Sequence, residues 1–372
     1  MAATPGDLDI DVLTGELWIC LCRGSWYSIS GTDSADRRAT GRQKSTATHG
    51  SYHRWVWLLA LLACMMSGCH SRPYPNRPIT IICPWAAGGG TDRLARFLAD
   101  AVQRELGVPC VVANRTGGAG AIGHQAGASA RPDGYTLTLI TFELCTMHHM
   151  GIAPLTYQDF DCLMQWNADP AAIIVRNDAR WRDLNEMLQE AREKPGQIKM
   201  SGTARGGAWD LARAGLLLAN GQSVDDIVWV PTLGAAPALV ELVGGHVDAV
   251  CCSIPEAASV RDQVRVLAVM ADQRLECEPD VPTCRELGIA WTAVGWRGLA
   301  APRGLPPQVK QTLMSVCRRI SQSQEFTEFM GTNGFQIAIR EGEEFVRFLA
   351  EQDRIWKQVI EKTGFRPETK GS

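Results

Sequence analysis

Two segments of the chain share one order: a short β-branched run, a glycine-rich loop, then apolar residues at helical spacing. The run Ile79–Cys83 precedes the loop 85–92, after which apolar residues recur every three or four positions. The run Ile198–Ser201 likewise precedes the loop 202–207 and a predicted helix over Ala208–Ala219. Strands that alternate with helices are typical of an α/β fold with mostly parallel sheets.

The same alternation continues through the rest of the chain. Further strands are predicted at 108–113, 135–141, 227–230, 246–251 and 264–270. Further helices are predicted shortly after residue 123 and at 235–243, 307–321, 325–332 and 342–363. Two such blocks predict two domains. We expect the long terminal helices to return to the first block, which makes that domain discontinuous.

The first glycine-rich loop has the features of an anion site. Ligands of open α/β sheets bind beyond the carboxyl ends of the strands, where this loop lies. The first N–H groups of a helix have no partner within the helix, and the helix dipole is positive there. Thr91 is expected to cap the helix and Asp92 to favour its first turn. Three consecutive glycines followed by Thr-Asp exceed what a plain strand–helix turn requires.

The loop 202–207 opens the second-domain helix in the same manner, so an anion between the two helix starts would be held from both sides. Arg205 could add a charge-assisted hydrogen bond or be a solvated loop residue, and Trp209 could stack on the ligand or pack. We expect ligand contacts from the following residues: Trp85, Ala86, Ala87, Gly88, Gly89, Gly90, Thr91, Asp92, Gly118, Thr141, Thr203, Arg205, Gly206, Trp209, Thr232, Gly234 and Ala235.

Signals for catalysis, cofactors or metals are weak. The chain has no HExxH or GxSxG motif, and the adjacent His148 and His149 are expected to diverge rather than share a metal. The stretch 118–123 matches GxGxxG, but Asp133 follows too early for a dinucleotide site, so a second loop lining the same cleft is preferred. We therefore expect no enzyme, cofactor or metal. With a net charge of −3 and no basic block, no nucleic-acid partner is expected either.

The N-terminal region 1–68 is interpreted as a signal region. An apolar run at 55–66, shorter than the roughly 20 residues that span a bilayer, precedes Met-Ser-Gly-Cys, which resembles a lipoprotein cleavage site. Cys69 is therefore the expected lipidation site and membrane anchor. Residues 1–50 are polar and are interpreted as a spurious extension from an upstream start codon.

Nine of the 13 cysteines follow Cys69. An odd number cannot all pair within one chain, and no CxxC pair exists, so most are expected to be small core residues. Cys277 and Cys284 flank a proline-containing loop and could form a disulfide.

Eight short motifs, in order, resemble the receptor proteins of tripartite tricarboxylate transporters, also called the Bug family. They include Pro-Trp-Ala-Ala-Gly-Gly-Gly-Thr-Asp at 84–92 and Trp-Arg-Gly-Leu-Ala-Ala-Pro at 296–302. The other six lie at 74–80, 114–120, 132–137, 230–239, 244–248 and 280–283.

This resemblance implies a type II periplasmic-binding fold, a two-lobed clamp with crossover strands and hinges near 170–174 and 296–300. Lobe 1 is expected to comprise 69–172 plus 297–372, and lobe 2 to comprise 173–296. The resemblance also implies a monomeric receptor, in the periplasm or on the outer face of the cell membrane. Such a receptor holds a small carboxylate largely through backbone groups and bridging waters and delivers it to membrane permease subunits.

Two departures from the family bear on the ligand. Thr232 and Leu233 stand where the family often has Tyr-Lys, and Asp210 stands where it often has His. A lost cation and an added acid disfavour a tricarboxylate, so a mono- or dicarboxylate is expected. The alternatives are a receptor that reports its ligand to a sensor kinase and an enzyme on the same scaffold.

Overall fold

The computed structural model describes residues 8–10, 17–22, 25–29 and 74–363, with side chains for 74–361. Strands β1 (Leu8–Ile10), β2 (Leu17–Cys22) and β3 (Ser25–Ile29) form an antiparallel sheet within the unit 1–70. The predicted signal sequence core and Cys69 lie outside the described residues. No described helix is both long and apolar enough to cross a membrane.

The compact unit 71–372 begins with three parallel strands. Strand β4 (Ile79–Cys83) lies between β5 (Cys110–Asn114) and β6 (Thr136–Thr141), and helices α1 (Gly90–Leu106) and α2 (Ala121–Ala128) connect them. Helix α1 buries an apolar stripe of Leu94, Leu98, Ala101 and Val102 and ends at Gly107 with φ of 70°. Gly89, not Thr91, is its N-cap residue, so the capping role expected of Thr91 is wrong.

A long strand missed by sequence reasoning, β7 (Phe160–Arg176), runs through the middle of the sheet. Its first part pairs antiparallel with β12 (Val294–Pro302) as far as Pro170, and from Ala171 onward it pairs antiparallel with β10 (Ala249–Ser253) and β11 (Val264–Val269). Strand β13 (Ile337–Glu341) also pairs with β7. The expected hinges at 170–174 and 296–300 fall within β7 and β12.

After a first helix that was not predicted, the second block follows the predicted order closely. It contains α3 (Leu184–Glu193), β8 (Ile198–Ser201), α4 (Ala208–Ala219), β9 (Ile227–Val230) and α5 (Ala235–Val243). Strand β8 lies parallel to both β9 and β10.

The sheet order is β5-β4-β6-β12-β7-β10-β8-β9. Its two outer groups are parallel, as predicted, whereas β7 and β12 pair antiparallel, so the sheet as a whole is mixed. Antiparallel pairing follows because these strands carry the chain back and forth between the two blocks. The α/β fold is confirmed.

Three helices end the chain: α6 (Pro307–Ser321), α7 (Gln324–Thr332) and α8 (Gly342–Thr363). Buried residues of α6 and α7 share a hydrophobic cluster with β4 and α1. Helix α8 packs its aromatic residues against Phe142, Trp291 and Trp296. It therefore touches residues on both sides of the expected lobe boundary.

Candidate functional site

A cleft that encloses about 430 Å³, part of it open to solvent, lies beyond the carboxyl ends of β4 and β6, between the starts of α1, α4 and α5. Ten residues predicted from the sequence line it: Trp85, Ala86, Gly89, Gly90, Thr91, Thr141, Thr203, Trp209, Gly234 and Ala235. Seven that sequence reasoning missed complete the wall: Phe142, Glu143, Ala208, Glu256, Gly295, Trp296 and Arg297.

The remaining seven predicted residues do not line the cavity: Ala87, Gly88, Asp92, Gly118, Arg205, Gly206 and Thr232. Arg205 is exposed. Thr232 instead ties its loop together, donating its hydroxyl to the carbonyl of Gly234 at 3.1 Å. Gly118 belongs to the loop before α2, which approaches Trp85 through Gly120.

The starts of α1 and α4 are built alike. Asp92 accepts from the Gly88 N–H at 2.9 Å and from Arg96 Nε at 2.9 Å. These bonds and one from an asparagine outweigh burial and hold the pKa of Asp92 below its usual value. In α4 the buried Asp210 accepts from the Gly206 N–H at 2.9 Å and pairs with Arg213 at 2.8 Å.

Both aspartates therefore stabilise a loop rather than face a ligand. The expectation that Asp210 adds an uncompensated acid to the site is wrong, because Arg213 pairs with its charge.

Two acids do reach the cavity, Glu256 and Glu143, and Glu143 lies in a short 3-10 turn directly after β6. Its Oε2 accepts from the Thr141 hydroxyl at 2.5 Å, and its Oε1 accepts from the Ala208 N–H, the first of α4, at 2.9 Å. The Trp85 indole donates to the same hydroxyl at 3.2 Å. Burial raises the pKa of Glu143, against the effect of these hydrogen bonds. A lone acid after an apolar strand was the signal available in the sequence.

His124 supports this network from behind the cavity. It is fully buried, its Nδ1 lies 2.8 Å from the Gly120 carbonyl, and its Nε2 accepts from the Thr141 N–H at 3.1 Å. The Nδ1 nitrogen therefore carries the hydrogen of a neutral ring. Burial lowers the pKa of His124 to about 4, so the ring stays neutral near pH 7.

Arg297 forms a second buried network across the cavity wall. Its Nη1 lies 2.6 Å from Asp169, its Nη2 lies 3.0 Å from Glu256, and its Nε donates to the Thr91 hydroxyl at 2.9 Å. Burial raises the pKa of Asp169 to about 6 despite the nearby guanidinium. A methyl group on Gly90 would come within 2.8 Å of Glu256 Cγ, so α1 can start here only with glycine.

Direct contacts join the loops on the two sides of the cavity. The Ala86 N–H donates to the Leu233 carbonyl at 3.4 Å, and Arg93 donates to the Pro255 carbonyl at 2.8 Å. These bonds connect the start of α1 to the segments after β9 and β10, and they partly cover the cavity.

Two wall residues carry a buried polar group without a hydrogen-bond partner, the hydroxyl of Thr203 and the indole N–H of Trp296. The hydroxyl of Thr203 is buried and has no hydrogen-bond partner, and the residue lines the cavity. A buried hydroxyl without a partner is costly, so this group is available to a ligand.

His148 and His149 converge rather than diverge. Their Nε2 atoms each lie 3.0 Å from a different oxygen of Asp353 on α8, and their ring centroids are 3.8 Å apart. The expectation that these rings point apart is therefore wrong, and the three side chains could together hold a metal ion. The group also ties the turn after β6 to the last helix.

All nine cysteines within residues 74–361 are free thiols, so Cys277 and Cys284 are not bridged. Cys277 is exposed and Cys284 is buried.

Comparison with known proteins agrees with this architecture. Residues 94–365 match the family described as the tripartite tricarboxylate transporter family receptor. The chain is 30% identical to protein BugT of Bordetella pertussis over 298 residues, which is 78% of this chain and 90% of BugT.

Two solved structures are similar over nearly their whole length. Periplasmic binding protein BugD has a TM-score of 0.73 at 28% identity, covering 79% of this chain and 99% of BugD. MatC from Rhodopseudomonas palustris, with bound malate, has a TM-score of 0.71 at 26% identity, covering 77% of this chain and all of MatC. The chain therefore belongs to the tripartite tricarboxylate transporter receptor family, whose members are solute-binding receptors rather than enzymes.

Proposed function

We propose that this protein captures a small carboxylate outside the cytoplasm and delivers it to the membrane permease of a tripartite tricarboxylate-type transporter. The observation that carries the proposal is the pair of helix starts at the cavity. Helices α1 and α5 both begin there with glycine N-caps, and neither cap residue forms a side-chain hydrogen bond. Backbone N–H groups and aligned dipoles then remain for a carboxylate.

The comparisons support a carboxylate in particular. MatC carries malate in its structure, and the family takes its name from tricarboxylates. The one guanidinium among the cavity-lining residues, that of Arg297, is already bonded to protein groups. The ligand carboxylate is thus held by backbone groups at α1, as the glycine-rich loop indicates.

The proposal also includes delivery to a permease and export to the periplasm or the outer face of the cell membrane. A lipid on Cys69 would anchor the protein there. Mass spectrometry of the protein from cell membranes tests the last part. A lipid-modified N-terminal Cys69 is the expected result, and an unmodified cysteine contradicts it.

Thermal unfolding against a panel of small carboxylates tests the binding role. Ligand at 100 times its dissociation constant adds about 2.7 kcal/mol to native stability. At about 2.1 cal/mol/K per residue over 74–363, the melting temperature should rise by about 4 °C. The acid should be recovered unchanged, since a receptor does not turn it over.

A matched pair of variants separates site binding from unspecific effects. Thr203→Val removes a hydroxyl that has no partner in the protein, so it should leave the free protein at least as stable and weaken the ligand about 10-fold. Thr327→Val, at an exposed position on α7 outside the cavity, should leave affinity unchanged. No shift with any carboxylate, or consumption of the acid, contradicts the proposed function.

A further inference from the structure

The carboxylate of Glu143 occupies the very place at the start of α4 where the sequence predicts a ligand anion. It accepts from the Ala208 N–H at 2.9 Å and from the Thr141 hydroxyl at 2.5 Å. The side chain is 2% exposed and forms part of the cavity wall. Because the first N–H of α4 already has an anionic partner, a second ligand carboxylate has no anion site there.

The Ala208 contact requires Glu143 to act as acceptor, because a backbone N–H can only donate. The Thr141 hydroxyl accepts from the Trp85 indole at 3.2 Å and lies 3.4 Å from His124 Nε2, so it can either donate to Glu143 or accept from it. Donors aimed at a carboxylate stabilise its charged form. An ionised carboxylate has room for about four hydrogen bonds, so Glu143 can accept further donors from a ligand.

No lysine or arginine within residues 74–361 forms an ion pair with Glu143. Arg297, the cation that acts on it electrostatically, is bonded instead to Asp169, Glu256 and Thr91. The cavity wall thus carries two carboxylates, Glu143 and Glu256, and one guanidinium. Burial raises the pKa of Glu143, so a bound group that supplies positive charge would favour its ionised form and be held by it.

Aromatic residues surround the same space. Trp85, Phe142, Trp209 and Trp296 all line the cavity. Aromatic rings attract ammonium groups through their electron-rich faces and offer nothing comparable to a carboxylate. A cavity wall that combines a carboxylate with aromatic rings is therefore suited to bind a cationic nitrogen.

We propose that Glu143 determines the specificity of this receptor, which takes a small amino acid with its carboxylate at the start of α1 and its ammonium group against Glu143. The inference rests on the proposed function, because it assumes that a carboxylate occupies the α1 end. It sets this chain apart from MatC, whose bound malate carries a carboxylate at each end.

Isothermal titration of three acids of equal chain length tests this inference. At the fifth chain atom, the position that would face Glu143, γ-aminobutyrate carries an ammonium group, pentanoate a methyl group and succinate the oxygens of its second carboxylate. Sets of shorter and longer homologues cover other ligand lengths. In wild-type protein the amino acid should bind most tightly and the dicarboxylate most weakly in at least one set.

The isosteric variant Glu143→Gln removes the charge while keeping an acceptor for the Ala208 N–H. This variant should bind the amino acid about 10- to 100-fold more weakly and the dicarboxylate more tightly than wild type. Glu344→Gln, the same change at an exposed position on α8, is the control and should alter neither affinity. The wild-type ranking decides the question even if the Glu143 variant does not fold.

Dicarboxylates that bind wild-type protein as tightly as the matched amino acids overturn this inference and leave the proposed function standing. The inference is also overturned if Glu143→Gln leaves the ratio of amino-acid affinity to dicarboxylate affinity unchanged. Failure of every carboxylate to bind overturns the proposed function, and this inference with it.

Discussion

Replacing Arg297 with methionine removes the one cation of a buried three-way network. Asp169 keeps the bonds from Asn167 and from the Gln336 N–H, and Glu256 keeps those from Ser253. Both carboxylates nevertheless lose their charge partner inside the protein, where they are 1% and 6% exposed. The Arg297→Met variant therefore leaves two buried charges uncompensated.

The expected cost follows from breaking a buried ion pair at one partner, about 3–5 kcal/mol. An unfolding entropy of about 2.1 cal/mol/K per residue over 74–363 converts this cost into a fall in Tm of about 5–8 °C at pH 7. The fall should shrink at lower pH, because protonation of the carboxyl groups removes the charges that lack partners. Burial already raises the pKa of Asp169 to about 6 in the intact protein.

Differential scanning calorimetry measures both effects. A triple variant that adds Asp169→Asn and Glu256→Gln should recover much of the lost Tm, since it removes the uncompensated charges along with the guanidinium. An unchanged Tm in Arg297→Met, or a triple variant no more stable than the single one, would refute the view that this network is a charge-balanced part of the fold.

Two further predictions concern the loops that shape the site. Gly206→Ala should lower stability by more than Gly196→Ala. Both glycines have positive φ, 77° and 73°, so both substitutions strain the backbone. Only at Gly206 would the added methyl group also meet a neighbour, Met150 at 2.5 Å. Equal losses of unfolding free energy in urea titrations of the two variants would contradict this packing. For His124, burial lowers the pKa from 6.5 to about 4, so its contribution is present above pH 6.5 and is lost as pH falls through 4. Wild type should lose up to about 3 kcal/mol more than His124→Gln between pH 7 and pH 4; parallel pH profiles would show that His124 is not the cause.

Local sequence signals predicted the elements whose ends are set by nearby residues. Helix α4 and strands β8 and β9 match their predicted bounds, because glycine loops and apolar spacing mark them within a few positions. Strand β7 was missed because Gln165, Asn167 and Pro170 interrupt its apolar run. The partners of its polar side chains lie far along the chain, as with Arg340, which donates to Gln165.

The candidate site divides in the same way. The glycine-rich loops were found because their composition is unusual within a short stretch. Glu143, Glu256 and Arg297 come from three distant segments of the chain. Their place in the cavity wall could not be predicted from local sequence, because only the fold brings them together. The contribution of Asp210 was misjudged for the same reason, since its pairing with Arg213 depends on the helical register of α4.

The central claim is that a ligand carboxylate binds to the backbone at the start of α1. A crystal structure of the protein with the tightest-binding acid tests it most directly. The account predicts carboxylate oxygens within about 2.7–3.2 Å of the N–H groups of Gly89, Gly90 or Thr91, with the other end of the ligand at Glu143. A carboxylate paired with an arginine side chain, or bound outside this cavity, would contradict it.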